Sequence, residues 1–202
     1  MLVGVGGLGI LLTTRILSDV IISGGFDLKI SEIHGMAQRG GSVHTMVRFG
    51  QKVYSPVICK GEADFVLSFE LLEALRWADY LSPTGTLIAS KQRINPLPVA
   101  MGWKRYPDVL GELKRLSSRV LTIDPLDLAK KAGNVRGANL VMLGAMGALL
   151  PFPAKTWDEA ISGRVREETV EFNLSAFKLG WEQAKKPEVM GPFDEAQGRH
   201  GS

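Results

Sequence analysis

The chain has 202 residues, 45% hydrophobic and 22% charged, enough to bury one sizeable core. Its formal net charge is only +3 and its cations are scattered beside acids, as in Arg164-Val-Arg-Glu-Glu168, which excludes a nucleic-acid track. The single cysteine, Cys59, excludes an internal disulfide and the thiolate set of an iron–sulfur cluster, and no run reaches the roughly 20 apolar residues of a membrane span.

Leu2 to Val5 reads as a short apolar strand that runs into a glycine-rich turn, Gly4-Val-Gly-Gly-Leu-Gly9. Leu8 to Ser23 reads as a largely buried helix stopped by Gly24-Gly25. Phe26 to Ile33 alternates as a second strand, and strand–helix–strand implies a parallel pair with a right-handed crossover. A polar, glycine-rich loop follows, His34-Gly-Met-Ala-Gln-Arg-Gly-Gly41. Ser42 to Phe49 and Lys52 to Ile58, separated by Gly50-Gln51, predict a β-hairpin insertion.

Phe65 to Phe69 resumes the strand pattern, and Glu70 to Tyr80 is helical. Ser82-Pro-Thr-Gly85 predicts a turn before a strand over Thr86 to Ser90. Asn95 to Pro107 is a long loop, Leu110 to Leu116 a helix and Val120 to Ile123 a strand. Asp124-Pro125 supplies a helix cap and a first-turn proline. The last third is helical: Ala138 to Leu150, a helix from Trp157 capped by Thr156, and Glu167 to Lys185. The expected fold is α/β, a Rossmann-like mostly parallel sheet flanked by helices, in a single domain over residues 1–186. A mobile tail is expected over 187–202.

Two glycine-rich segments are candidate functional elements. Gly4, Gly6 and Gly9, with Gly7 between them, match the dinucleotide fingerprint, and Glu32 lies where a ribose-binding acid would stand. The plainer reading is that these glycines let the first helix pack closely on the sheet. In the second segment Arg39 is suited to clamp a phosphate or carboxylate, and His34 to exchange a proton near neutral pH. Gly35, Gln38, Gly40, Gly41 and Ser42 complete that candidate loop. The plainer reading pairs Arg39 with Glu32 and leaves His34 on the surface. Cys59 reads as a buried small hydrophobe, His44 as a strand-face residue, and Gly144-Ala-Met-Gly147 as a close-packing helix face. No His, Asp or Glu spacing predicts a metal site.

Gly4 to Leu12 and Ser31 to Ser42 together resemble the gamma-type catalytic domain of the 2-oxoacid:ferredoxin oxidoreductase family. The His34–Gly41 form is similar to the indolepyruvate branch of that family, in its small (beta) subunit. Gly61-Glu-Ala-Asp64, Phe69-Glu-Leu-Leu-Glu-Ala74 and Asn139-Leu-Val-Met-Leu-Gly-Ala145 fit the same pattern, which runs from the first residue to about Trp181. The chain departs from it at Leu8, where the family usually has glutamine, and in starting several residues inside the first strand.

The lone cysteine and the lack of a signal-peptide pattern lead to an expected cytoplasmic location. The resemblance implies a subunit supporting CoA-dependent oxidative decarboxylation of an aryl pyruvate to aryl-acetyl-CoA, carbon dioxide and reduced ferredoxin. It implies no cofactor on this chain. Thiamine diphosphate, Mg and the iron–sulfur clusters are expected on a larger partner subunit, with ferredoxin reached through the complex. The catalytic residues are not identifiable in this chain, and the isolated chain is expected to be inactive. Two other readings stand beside it: an independent Rossmann-type NAD(P)-binding oxidoreductase, and a homodimeric scaffold joined through apolar helices.

Overall fold

The computed structural model describes residues 1–34, 41–116 and 119–186, with the side chain of His34 also outside the description. The expected tail over 187–202 and the loop positions Gly35, Gln38, Arg39 and Gly40 lie outside the described residues.

Among the described residues six strands form one sheet: β1 (Leu2–Val5), β2 (Asp27–His34), β3 (Ser42–Gly50), β4 (Ala63–Ser68), β5 (Leu81–Ser90) and β6 (Val120–Ile123). Their order is β2-β3-β1-β4-β5-β6, with β1, β4, β5 and β6 parallel and β3 antiparallel to both its neighbours. Helices α1 (Ile10–Ser23), α5 (Pro125–Lys131), α6 (Ala138–Gly147), α7 (Ala154–Ser162) and α8 (Val170–Ala184) share one core with alternate strand residues such as Leu2, Leu67 and Ile88. Helices α2 (Leu71–Arg76) and α4 (Val109–Leu116) cover the opposite face over Val3, Val66 and Leu87. This one-in, one-out alternation is what a sheet buried on both faces requires.

Most expected elements are present, and the differences have physical causes. β2 runs in the direction of β1 but does not pair with it, because β3 lies between them. The antiparallel hairpin is therefore β2–β3, not Ser42–Phe49 with Lys52–Ile58. Both edges of β3 are occupied, so residues 52–58 cannot pair with it, and they carry no strand. They are tied down by other acceptors: Val53 N–H donates to Asp27 at 2.8 Å and Ile58 N–H to the Met46 sulfur at 3.4 Å. Ser82 to Gly85 does not form a separate turn. It bulges within β5, between the pairs Ala63–Leu81 and Phe65–Thr86. The expected loop from Asn95 contains a helical turn, α3 (Leu97–Ala100). Helix α7 starts at Ala154 with Pro153 at its cap, so Thr156 lies inside the first turn.

Helix α1 can be buried despite its polar residues. Thr13, Thr14 and Ser18 return their hydroxyls to carbonyls four residues back, at 3.1, 2.9 and 2.6 Å. Asp124 caps α5 as expected, accepting from Asp127 N–H at 3.1 Å, with Pro125 in the first turn. Gly144 on α6 and Gly180 on α8 let these helices cross backbone to backbone. A Cβ on Gly144 would overlap the Phe177 carbonyl, and one on Gly180 the Val141 carbonyl.

Candidate functional site

The parallel strands end at one edge of the sheet, and the chain reverses there into the segments that carry polar chemistry. β1 leads into the Gly6–Gly9 turn, β4 into Phe69-Glu70, β5 into Lys91-Gln92 and β6 into Asp124-Pro125. β3 enters from Gly41 at the same edge, because it runs antiparallel to β1. Ligands of open α/β sheets bind in crevices at this edge, where successive connections leave to opposite sides.

A cleft of about 720 Å³ opens there. Gly7, Leu8, Gly9 and Leu12 form one wall, Phe69 and Gln92 border it, and Arg136, Asn139, Arg164 and Arg166 face it from the helical third. Gly7 has φ 99° and Gly9 φ 81°, conformations that disfavour a side chain. At Gly7 nothing lies within 4 Å of where a Cβ would stand, so its backbone is open to the cleft. At Gly9 a Cβ would meet the Asn139 amide at 2.7 Å, so this glycine serves packing between α1 and α6. Gly4 also serves packing, against the segment that leaves β4: its Cβ would stand 3.0 Å from that of Phe69. Close packing is thus seen at Gly4 and Gly9, while the Gly7 backbone faces open space.

α1 has no side-chain cap and no acid in its first turn. Its first N–H groups thus lack an intrahelical acceptor and, with the helix dipole, favour an anion. The arginines differ in availability. Arg164 is held by Asp19 in a bidentate pair at 2.5 and 2.7 Å, which raises its pKa further. Arg166 approaches Glu168 only at 3.9 Å, with both side chains mostly in water, a contact worth little. Arg136 is exposed, and among the described residues its side chain has no ion-pair partner. Of the described arginines lining the cleft, Arg136 and Arg166 are less firmly held than Arg164.

Beside the cleft, on the α2 side, lies a buried carboxylate pair that the sequence reading did not single out. Glu70 is 1% and Glu73 4% exposed. Glu70 accepts from Glu73 N–H and Ile94 N–H, each at 3.0 Å, and from the Tyr106 hydroxyl at 3.2 Å. Burial and the Glu70 carboxylate push the Tyr106 hydroxyl pKa well up. Glu73 accepts from Ser42 Oγ, from Arg76 Nε at 2.9 Å and from Trp77 Nε1 at 3.3 Å. Gly6 N–H donates to the Gly41 carbonyl at 2.9 Å. Of the predicted site residues, the structure thus brings Gly6, Gly41 and Ser42 together and clamps them to α2 through Glu73. The one available signal was two glutamates three apart just past a strand end, as a capping residue and its helix would place them.

Glu32 is not brought to the glycine turn. It is exposed on β2, two strands from β1, or about 10 Å at ordinary strand spacing. The ribose contact of a dinucleotide fold needs the second strand beside the first. Cys59 is exposed, contrary to expectation, because its turn lies outside any strand. A lone exposed cysteine does not fit an iron–sulfur cluster.

His44 stands on the strand face as expected, with its ring 4.1 Å from that of Trp77. Burial lowers its pKa, opposed by the charge of nearby Glu73. The unfolded chain then binds more protons below the ordinary value near 6.5, so stability is lost as pH falls through that value. His44→Phe keeps a ring against Trp77 and removes the titration. It is expected to lose less melting temperature than the parent between about pH 7 and pH 5. Equal losses in thermal melts would refute the assignment.

Residues 1–183 match the family described as pyruvate ferredoxin/flavodoxin oxidoreductase. The chain belongs to this family. Among its relatives is the indolepyruvate oxidoreductase subunit IorB of Archaeoglobus fulgidus, 37% identical over 189 residues, covering 91% of this chain and 94% of that protein. The protein of the same name from Pyrococcus horikoshii is 39% identical over 193 residues, covering 92% and 95%. In fold, this family member is similar to the gamma subunit of a keto/oxoacid ferredoxin oxidoreductase from Geobacter sulfurreducens, with TM-score 0.67 at 24% identity over 91% of this chain and 95% of that one. The same fold occurs within the larger chain of 2-oxoglutarate:ferredoxin oxidoreductase from Magnetococcus marinus, with TM-score 0.67 at 21% identity over 95% of this chain and 32% of that one.

Proposed function

We propose that this chain is the small, non-cofactor-bearing subunit of an indolepyruvate or aryl pyruvate:ferredoxin oxidoreductase. The complex converts the 2-oxoacid, CoA and oxidised ferredoxin to aryl-acetyl-CoA, carbon dioxide and reduced ferredoxin. Thiamine diphosphate, with its magnesium, supplies the carbanion chemistry from the larger subunit, and iron–sulfur clusters there carry the electrons.

The observation that carries this reading is the cleft at the carboxyl edge. There the open Gly7 backbone, the uncapped start of α1, Arg136 and Arg166 face one volume. CoA is a polyanion, and its phosphates suit that combination of free N–H groups and guanidinium donors. The role of the chain is to hold the charged end of CoA while the thiol reaches the acyl group on the partner. The His34–Ser42 loop borders that entrance or the partner, in keeping with the anchoring of Gly41 and Ser42 beside the turn. The separation of Glu32 from the turn gives the NAD(P) reading no support.

The test is steady-state turnover of the complex formed with the larger subunit, using indolepyruvate, CoA and a low-potential dye as electron acceptor. Arg136→Ala combined with Arg166→Ala is expected to raise KM for CoA about tenfold and leave KM for indolepyruvate unchanged. An unchanged CoA KM would remove the cleft from the reaction. Turnover without CoA, or NAD retained by the chain alone, would overturn the functional reading. Arg39→Ala should impair assembly or CoA-dependent turnover, and no effect on either would exclude the loop.

A further inference from the structure

Helix α2 opens on two glutamates, and only one of them serves the helix. Glu70 accepts from Glu73 N–H, as an N-terminal cap does. A glutamate three residues after a cap ordinarily reaches back to the cap's own N–H. The Glu73 carboxylate instead leaves its helix and accepts from Ser42 Oγ, 31 residues away in sequence. Arg76 Nε and Trp77 Nε1 donate to it as well, at 2.9 and 3.3 Å, so a carboxylate only 4% exposed has three donors. A charge kept so far from water is costly unless it is hydrogen-bonded, and satisfying it fixes the groups that do so in one arrangement.

Ser42 is the first residue of β3 and stands opposite Val5, the last residue of β1. One residue further on, Gly6 N–H donates to the Gly41 carbonyl at 2.9 Å, which carries the pairing past the strand ends. The glycine turn starts from that bond. Its far end is seated on α6, because Gly9 packs against Asn139. Its near end has no such seat. Gly6 and Gly7 have no side chains to pack, and nothing lies within 4 Å of where a Cβ on Gly7 would stand. A bond inside the turn, from Leu8 N–H to the Val5 carbonyl, is long at 3.3 Å. Glycine also loses more conformational freedom on ordering than any other residue. The near end is therefore held through the Gly41 carbonyl, and Gly41 through the adjoining Ser42 and its bond to Glu73. The Ser42 hydroxyl proton is committed to that bond, so it is not offered to a ligand.

We propose that Glu73 and Ser42 are positioning residues, an assignment that rests on the cleft reading above: they hold the Gly41 carbonyl on Gly6 and so preset the Gly7 backbone for the phosphates of CoA. Neither side chain touches the ligand. Their effect is preorganisation, since a turn ordered before binding spares the complex the entropy of ordering it. Glu73 acts from α2, on the opposite face of the sheet from the helices that flank Arg136 and Arg166. The backbone wall of the cleft and its guanidinium wall are thus set by separate parts of the core, and each can be weakened without the other.

The experiment compares the parent with Ser42→Ala and with Ser42→Thr, which keeps the hydroxyl, the folding of each checked by thermal melting. In the full chain alone, amide exchange at Gly6 should rise about tenfold in Ser42→Ala relative to the amides of β4, and return in Ser42→Thr. In the complex with the larger subunit, Ser42→Ala should raise KM for CoA about fivefold, with little change in kcat or in KM for indolepyruvate. Ser42→Thr should stay within about twofold of the parent. If Gly6 exchange does not change, the positioning role is wrong. It is also wrong if Ser42→Ala leaves KM for CoA at the parent value while Arg136→Ala with Arg166→Ala raises it, and the cleft reading then stands. If neither raises KM for CoA, both fall. Weaker assembly of Ser42→Ala with the larger subunit, at an unchanged KM for CoA, would overturn the assignment in favour of a direct contact between Ser42 and that subunit.

Discussion

Gly144→Ala is expected to cost this protein about 3 kcal/mol or more in urea unfolding, although alanine is the better helix former. Propensity alone favours the substitution by about 1 kcal/mol in a helix interior. The opposing effect is steric and falls on backbone: the new Cβ would overlap the Phe177 carbonyl oxygen and approach Trp181 N at 3.0 Å. A flexible side chain could turn away from such a contact. Two helix backbones can relieve it only by separating, and that opens the core that Val141, Ala145, Phe177 and Trp157 share. Gly180 presents the mirror contact against Val141, so the crossing has no slack on either side. Gly163→Ala is the control. Gly163 follows α7 with negative φ, its added Cβ would meet nothing nearer than 3.5 Å, and the change should alter stability by no more than about 0.5 kcal/mol. A Gly144→Ala protein as stable as the parent would show that α6 and α8 do not cross this closely.

That crossing was legible as a small-residue face on one helix, but its partner was not. The period of Val170, Leu174, Phe177 and Trp181 marks an apolar stripe and says nothing of Gly180, which makes the reciprocal approach. Sheet topology divided in the same way. Strand positions followed from local alternation and turn chemistry, and β6 coincides with its expected range. Strand order did not follow, because insertion of β3 between β1 and β2 depends on a pairing that local pattern does not encode. One consequence concerned the site directly. Glu32 has the sequence distance of a ribose-binding acid, and only the intervening strand removes it from the glycine turn. The cleft arginines were hidden for the opposite reason. Arg136, Arg164 and Arg166 read as scattered surface charge, and they converge on the turn because α5 to α8 fold back over the carboxyl edge.

Glu70→Ala is expected to lower stability by about 3 kcal/mol and to loosen residues 91–107 selectively. The carboxylate satisfies two backbone N–H groups and one hydroxyl in a place where it is itself only 1% exposed. Each donor left without an acceptor out of water costs about 1 to 3 kcal/mol, and the Tyr106 hydroxyl can recover part by turning. Glu70→Gln separates charge from hydrogen bonding. Its carbonyl can keep Ile94 and Tyr106, but its amide group then opposes Glu73 N–H, so an intermediate loss of about 1 to 2 kcal/mol is expected. The distribution of the effect is the sharper reading. Ile94 and Tyr106 lie towards the two ends of residues 91–107, so their release should speed proteolysis within that segment and raise amide exchange of Met101 to Lys104 more than that of β4 or α6. If Glu70→Ala cost under about 1 kcal/mol, or exchange rose evenly across the sheet, Glu70 would be a helix cap for α2 and nothing more.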